Sequence, residues 1–184
     1  MPQTQTPFID LRAAARELHS LSSLTGASML TALNLVIHSF TIFINAYLRI
    51  TFGFLTVGVC ALFYGPFLSG LGCAVADVLK FFIRNDGGGF FIGFTANEFV
   101  SGFLYGLILY KKPVTLARTF VARLSAMLIV SLLLNPLCLS LLYGDAFLAL
   151  VSMRLLKNLI MLPIETLMLY TLLKKIVAFR PLRS

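Results

Sequence analysis

Residues that could bind a ligand occur at separate points of an otherwise apolar chain. Arg49 opens the stretch RITFGFLTVGVCALFYGP, in which a Phe-Gly-Phe step indicates a turn. Arg154 and Asn158 lie four residues apart and therefore share one face of a helix. Arginine forks bind carboxylates, and aromatic faces bind planar rings. These residue types indicate a site for a flat heteroaromatic ligand with an anionic end, although a short loop with one arginine is also a common connection.

A carboxylate and an amide complete this candidate site. Glu98 stands near the start of a long apolar segment, and a carboxylate or an asparagine can recognise the amide edge of a ring. The alternative is that Glu98 and Arg154 simply pair with each other. The candidate ligand-binding residues are Arg49, Phe52, Gly53, Phe54, Phe94, Thr95, Glu98, Arg154 and Asn158.

The composition is that of an integral membrane protein. The 184 residues are 59% apolar and 12% charged, whereas soluble domains carry about 25% charged residues. Residues 1–25 are polar and lack the short apolar core of a cleavable signal peptide. The three cysteines lie far apart in apolar runs without metal-ligand spacing, so we predict neither a metal nor a cofactor.

The apolar segments predict an all-α membrane bundle of six transmembrane helices, because about 20 apolar residues cross the hydrocarbon core. The predicted helices cover residues 27–47, 54–64, 66–83, 93–110, 114–134 and 147–176, with a loop over 135–146. The second helix is too short to cross alone, so the Arg49 loop before it should dip into the protein. The predicted domains are an N-terminal segment (1–26), the membrane domain (27–176) and a basic cytoplasmic tail (177–184). In the N-terminal segment an amphipathic surface helix and a disordered tail are both open.

Several predicted helices carry polar residues, each with a structural and a functional interpretation. In the first helix, a polar stripe either forms interhelical hydrogen bonds or meets the ligand; it consists of Thr31, Asn34, His38, Thr41 and Asn45. An intramembrane carboxylate such as Asp77 is a functional candidate, although a structural pair with Lys80 or Arg84 is the alternative. Arg118 and Arg123 are expected to extend to the near membrane interface.

The distribution of the net charge of +8 predicts the orientation of the chain and gives no indication of nucleic-acid binding. Eight lysines and arginines flank the predicted helices on the side of the termini, whereas Arg49 and Arg84 lie in loops of the other side. Cytoplasmic loops carry the excess of Lys and Arg, so both termini should be cytoplasmic. The Arg49 loop and Gly87, Gly88 and Gly89 then face outward. These three glycines form either a mobile gate over the site or a plain hairpin connection.

Three stretches carry a resemblance to a known family: RITFGFL followed by FYGPFLSGLGCAVADVL, then GGGFFIGFT with SGFLYGLILY, and RLLKNLIMLPIE. Over residues 27–175 the chain resembles the substrate-binding subunits (S components) of energy-coupling factor (ECF) vitamin transporters, and is most similar to the folate-specific members. The Arg-x2-Phe-Gly-Phe loop with the downstream Tyr-Gly-Pro is the more specific part of the match.

The resemblance implies a bacterial plasma-membrane protein that binds folate with high affinity at the extracellular face. It also implies association with a membrane coupling subunit and two cytoplasmic ATPases, and delivery of the vitamin by rotation of the whole subunit in the membrane. The family's coupling contact is an alanine-x3-alanine step in the first helix, which falls on Ser28 and Ala32 here. Both residues are small, so a partner helix can still approach closely.

The sequence is compatible with other functions as well. The vitamin could be thiamine, riboflavin, pantothenate or a queuosine precursor. A stand-alone carrier or a membrane enzyme is a further alternative, but His38 is the only histidine in a predicted span and no His/Glu pair has the helical spacing of metal ligands. We therefore predict that the protein is not an enzyme.

Overall fold

A computed structural model describes residues 17–39, 42–43, 49–83, 91–143 and 147–179. The glycines 87–89 of the predicted gate, the N-terminal segment up to residue 16 and the basic tail from residue 180 lie outside these ranges. The described elements are a 3₁₀ turn (Glu17–His19), α1 (Leu21–Ser39), β1 (Ile42–Phe43), β2 (Arg49–Ile50), α2 (Gly53–Ile83), α3 (Ile92–Leu109), α4 (Leu116–Ala126), a π-helical stretch (Met127–Leu134), α5 (Asn135–Tyr143) and α6 (Phe147–Phe179).

The helical segment α2 is interrupted at Gly65. Its φ of 83° and ψ of −177° belong to a backbone conformation that favours glycine. Pro66 then occupies the first turn of the next helical segment, where an N–H group would have no intrahelical partner in any case. The predicted boundary between a helix ending at residue 64 and one beginning at residue 66 is therefore confirmed.

The contacts between α1 and α2 show that the chain reverses direction at this point. Residues 53–64 run antiparallel to α1, since the contacting pairs are Gly26 with Tyr64 and Asn34 with Gly53. Residues 66–83 run parallel to α1, since Ala27 shares an apolar cluster with Leu68 and Thr31 lies against Gly72. The two halves of α2 thus form a helical hairpin beside α1.

Small residues bring α3 close to the second half of α2. A Cβ atom at Gly102 would lie 2.5 Å from the Ser69 carbonyl oxygen, and one at Gly106 would collide with the Pro66 backbone. Gly102 and Gly106 are four residues apart, and small residues at this spacing let membrane helices approach closely.

The predicted loop over residues 135–146 is wrong for most of its length, because Asn135–Tyr143 forms α5. Asn-Pro usually marks the end of a helix. Here the preceding stretch widens to a π-helix, and the Asn135 N–H bonds to the Val130 carbonyl five residues back. Pro136 enters in the first turn of α5, so α4, the π-helical stretch and α5 follow one another without a break.

An apolar core joins the first half of α2 to α3, α4 and α6. Its buried members are Phe54, Val59, Ala61, Leu62, Tyr105, Leu109, Ala122, Ala126, Leu169 and Leu173. Other large apolar side chains face outward, among them Met29 at 77% exposed and Phe82 at 77% exposed. A soluble protein rarely leaves so much apolar surface uncovered, whereas lipid covers it in a membrane.

Four helical segments within the described ranges are long and apolar enough to cross a bilayer. They are Leu21–His38, Gly53–Ile83, Ile92–Leu109 and Leu116–Leu142. The second contains both halves of the α2 hairpin. The helical class of the membrane bundle is therefore confirmed.

Candidate ligand-binding site

The connection between α1 and α2 carries the first group of predicted ligand residues. β1 and β2 pair antiparallel, with Phe43 opposite Arg49 and Ile42 opposite Ile50. Only two residues, Thr51 and Phe52, separate β2 from the start of α2. The place of Arg49 is therefore tied closely to the place of the helix start.

Asn34 of α1 holds the first turn of α2. Its Nδ2 donates to the Gly53 carbonyl oxygen at 3.1 Å and to the Thr56 hydroxyl at 2.7 Å. Thr56 donates in turn to the Gly53 carbonyl at 2.8 Å. All three residues are buried, so this part of the polar stripe of the first helix serves interhelical hydrogen bonding, one of the two interpretations left open by the sequence.

Phe54 lies in the core, beside a buried ion pair. Arg123 places its guanidinium carbon 4.8 Å from the centre of the Phe54 ring. Its Nε donates to Glu165 at 2.7 Å, its Nη2 forms an ion pair with the same carboxylate, and its Nη1 donates to the Tyr105 hydroxyl at 3.1 Å. We call Phe54, Tyr105, Arg123 and Glu165 the Arg123 cluster. The expectation that Arg123 extends to the membrane interface is wrong, because these partners satisfy it inside the bundle.

A second group lies where the end of α2 meets the start of α3. Thr95 donates to an Asp77 carboxylate oxygen at 2.8 Å. The Phe94 ring meets the Phe91 ring edge to face, with 5.7 Å between the ring centres. Glu98 follows one turn later on α3 and is partly buried.

A third group lies on α6. Asn158 donates through Nδ2 to the Ser131 hydroxyl of the π-helical stretch at 2.8 Å. Arg154 precedes it by one turn and is partly buried as well. The predicted pairing of these two residues on one helix face follows directly from their places in α6.

A narrow cleft separates α1 from the α2 hairpin. It has room for about one water molecule, which excludes a vitamin-sized ligand from this place. Its lining residues are Leu30, Thr31, Asn34, Thr56, Val57, Cys60, Ser69, Gly72 and Cys73.

The predicted partner-binding residues lie on the outer face of α1. Ser28 and Ala32 are both exposed, one turn apart, and the large apolar side chains of Met29 and Leu33 are exposed beside them. Their small size leaves a shallow path along the helix that a second helix can approach.

At the opposite end of α1 from the β ladder, Glu17 ties the 3₁₀ turn to the connection after α3. Its carboxylate accepts hydrogen bonds from the Ser23 and Tyr110 hydroxyls and lies 3.4 Å from Lys111 Nζ. Burial alone would raise the pKa of Glu17, but the Ser23 hydrogen bond and the Lys111 charge outweigh it and lower the pKa below its ordinary value.

Sequence reasoning did not select Asn34, Tyr105, Arg123 or Glu165 for the site. Asn34 carried a signal, since it belongs to the polar stripe of the first helix. The other three come from helices far apart in sequence, and no local pattern joins them.

Comparison with known proteins identifies the class. The family model for the substrate-specific component of ECF transporters matches residues 22–173, and the chain belongs to this family. Family membership and the apolar helices together make it a multi-pass membrane transport component, which confirms the predicted family and the prediction that the chain is not an enzyme.

The individual relatives are folate transporters. The folate transporter FolT of Clostridium novyi is 37% identical over 123 residues, covering 67% of this chain and 71% of the relative. The folate transporter FolT of Leuconostoc mesenteroides is 38% identical over 152 residues, covering 79% of this chain and 81% of the relative. The crystal structure of FolT bound with folic acid superposes with a TM-score of 0.77 at 34% identity, covering 85% of this chain and 95% of that one.

Proposed function

We propose that this chain is the folate-binding subunit of an ATP-driven ECF importer. The observation that carries the proposal is the likeness to FolT bound with folic acid, which extends over 95% of that chain. Both named relatives are folate transporters as well. The vitamin is captured at the extracellular face of a bacterial plasma membrane.

The proposed topology has six membrane crossings and two cytoplasmic termini. The reversal at Gly65 supports counting α2 as two crossings. With α1, α3, the continuous run from α4 to α5, and the 33-residue α6, the total is six. The excess of Lys and Arg beside the termini supports the cytoplasmic side for both.

The proposed ligand site uses the chemistry of folic acid, which joins a flat heteroaromatic ring to carboxylates. Arg49 and Arg154 bind the carboxylates, since arginine forks match their geometry. The aromatic residues Phe52 and Phe94 pack against the ring, while Glu98 and Asn158 recognise its amide edge. Gly53, Phe54 and Thr95 shape the helix starts beside the ligand, and Gly87, Gly88 and Gly89 form the gate.

The proposed partners are a membrane coupling subunit and two cytoplasmic ATPases, with lipid around the remaining apolar surface. Ser28 and Ala32 form the contact with the coupling subunit. Rotation of the loaded subunit in the membrane then carries the vitamin from the outer to the inner side, and the ATPases supply the energy.

Titration of the purified protein with folic acid tests this proposal. We expect saturable binding, with thiamine, riboflavin and pantothenate inactive as competitors. Arg154→Ala should weaken binding roughly tenfold to a hundredfold, because a lost charge-assisted hydrogen bond costs about 1.5–3 kcal/mol. Arg118→Ala is the matched control, since Arg118 contacts the Pro113 carbonyl in the connection before α4. No binding of folic acid at micromolar concentration would refute the folate assignment.

A further inference from the structure

The Arg123 cluster places a charged pair in the middle of an apolar bundle. Phe54, Tyr105 and Glu165 are each less than a tenth exposed, and they come from α2, α3 and α6. A charge in such surroundings is costly unless it is paired and hydrogen-bonded. All three guanidinium nitrogens have partners and the guanidinium carbon lies over an aromatic ring, so the arrangement meets that requirement.

The ring under Arg123 belongs to the start of α2. Phe54 is the second residue of that helix, and only Thr51 and Phe52 lie between the helix and the strand that contains Arg49. A residue adds at most about 3.6 Å to an extended chain, so a shift of the helix start is passed on to the strand. The cluster therefore holds one end of the connection that carries two predicted ligand residues.

We propose that Arg123 is a positioning residue for this connection: its guanidinium, held by Glu165 and Tyr105, fixes the Phe54 ring and with it the backbone that presents Phe52 and Arg49. The inference deepens the proposed function, on which it rests for the identity of the ligand. Arg123 itself lies in the bundle and acts through Phe54.

The accessibility of a cysteine at position 51, between β2 and α2, shows whether the connection keeps its place, and it can be measured without any ligand. The native cysteines Cys60, Cys73 and Cys138 are buried, so a maleimide should label Thr51→Cys selectively in the detergent-solubilised full chain. The labelling rate and the affinity for folic acid are then measured in the same set of variants.

The variant Arg123→Met/Glu165→Met removes both charges at once and leaves no unpaired buried charge, so the chain should still fold. We expect it to label about tenfold faster at position 51 and to bind folic acid about tenfold more weakly, as expected for loss of a desolvated cation–π contact. Arg123→Lys keeps the charge but loses the planar fork and should fall between this variant and the parent.

Lys174→Met is the matched control. Lys174 Nζ lies 5.6 Å from the centre of the Tyr170 ring near the end of α6, so the substitution removes a cation–ring contact elsewhere in the fold. It should change neither readout.

The inference is overturned if the double variant unfolds at a lower temperature but is labelled at position 51, and binds folic acid, as the parent does. Arg123 would then only stabilise the packing of the helices. If the parent does not bind folic acid, the proposed function fails, while the labelling rate still decides whether Arg123 holds the connection.

Discussion

Asn34 is buried on α1, and a single Nδ2 group joins it to both the Gly53 carbonyl and the Thr56 hydroxyl. Lipid offers no polar partner to a buried amide, so a buried asparagine bonds to a neighbouring helix instead. The side chain of Asn34 therefore ties α1 to the first turn of α2. At this scale the sequence predicts which residues are polar and share a face, as for Asn34, but it does not predict their partners, as Arg123 and Glu165 show.

Asn34→Leu should destabilise the folded protein by about 1 kcal/mol, since interhelical side-chain hydrogen bonds in membranes contribute about 0.6 kcal/mol on average and up to about 1.7. The leucine has the same branched skeleton but cannot donate to Gly53. The measurement is the midpoint of thermal unfolding in detergent.

Thr25→Val is the control for this variant. Thr25 lies on the same helix, is exposed, and donates to the Leu21 carbonyl of its own helix. An equal fall in the unfolding midpoint for both variants would show that the hydrogen bonds from Asn34 to α2 add no stability of their own.

At the scale of elements, a local sequence signal predicts one helix boundary correctly and another one wrongly. Gly65–Pro66 ends one helix and starts the next, because one residue takes a positive φ and the other suits a first helical turn. Asn135–Pro136 carries an equally strong local signal for a loop, yet α5 begins there. The Asn135 N–H instead bonds to the Val130 carbonyl, so the helical backbone continues across the Asn-Pro step, which that local signal does not predict.

The 3₁₀ turn and the connection after α3 should separate at low pH. The pKa of Glu17 is lowered in the folded protein below its ordinary value of 4.5. Its carboxylate therefore stabilises the fold above that value, and this contribution is lost as the pH falls through the lowered pKa. The expected result is that the parent is more stable than Glu17→Gln at pH 7, and that the difference between their unfolding midpoints shrinks below pH 4.5.

The other carboxylates titrate in both proteins, so their contribution cancels in the difference between the two unfolding midpoints. Because Lys111 is about half exposed, solvent screens its attraction to Glu17, and most of the effect should come from the hydrogen bond of Ser23. A constant difference between pH 7 and pH 3.5 would exclude Glu17 as the titrating group.

At the scale of the whole molecule, composition and charge distribution predict the membrane class before any contact is known. The Gly65 break follows from a local pattern, but the helix bounds do not: α1 covers Leu21–Ser39 where residues 27–47 are predicted, and α5 replaces most of a predicted loop. A ligand site is less predictable, since the proposed residues Arg49, Glu98 and Arg154 belong to β2, α3 and α6 and no local pattern joins them. The outer face of α1 illustrates the same limit, because exposure of Ser28 and Ala32 requires the packing of α2 against the other side of that helix.

Import by intact cells tests the orientation of the chain and its docking together. Bacterial cells that carry the chain without an ECF module should bind folic acid from the medium, and cells that also contain the module should import it. Ala32→Leu should bind as the parent does but import about tenfold less, because a bulky side chain in a close helix contact typically costs about 1–3 kcal/mol.

Ser28→Ala is the matched control, since it keeps a small residue one turn away and should leave import unchanged. Normal import by Ala32→Leu would place the docking surface elsewhere on the molecule. Binding of folic acid that appears only after the cells are permeabilised would instead show that the site opens to the cytoplasm, whatever the effect of Ala32→Leu.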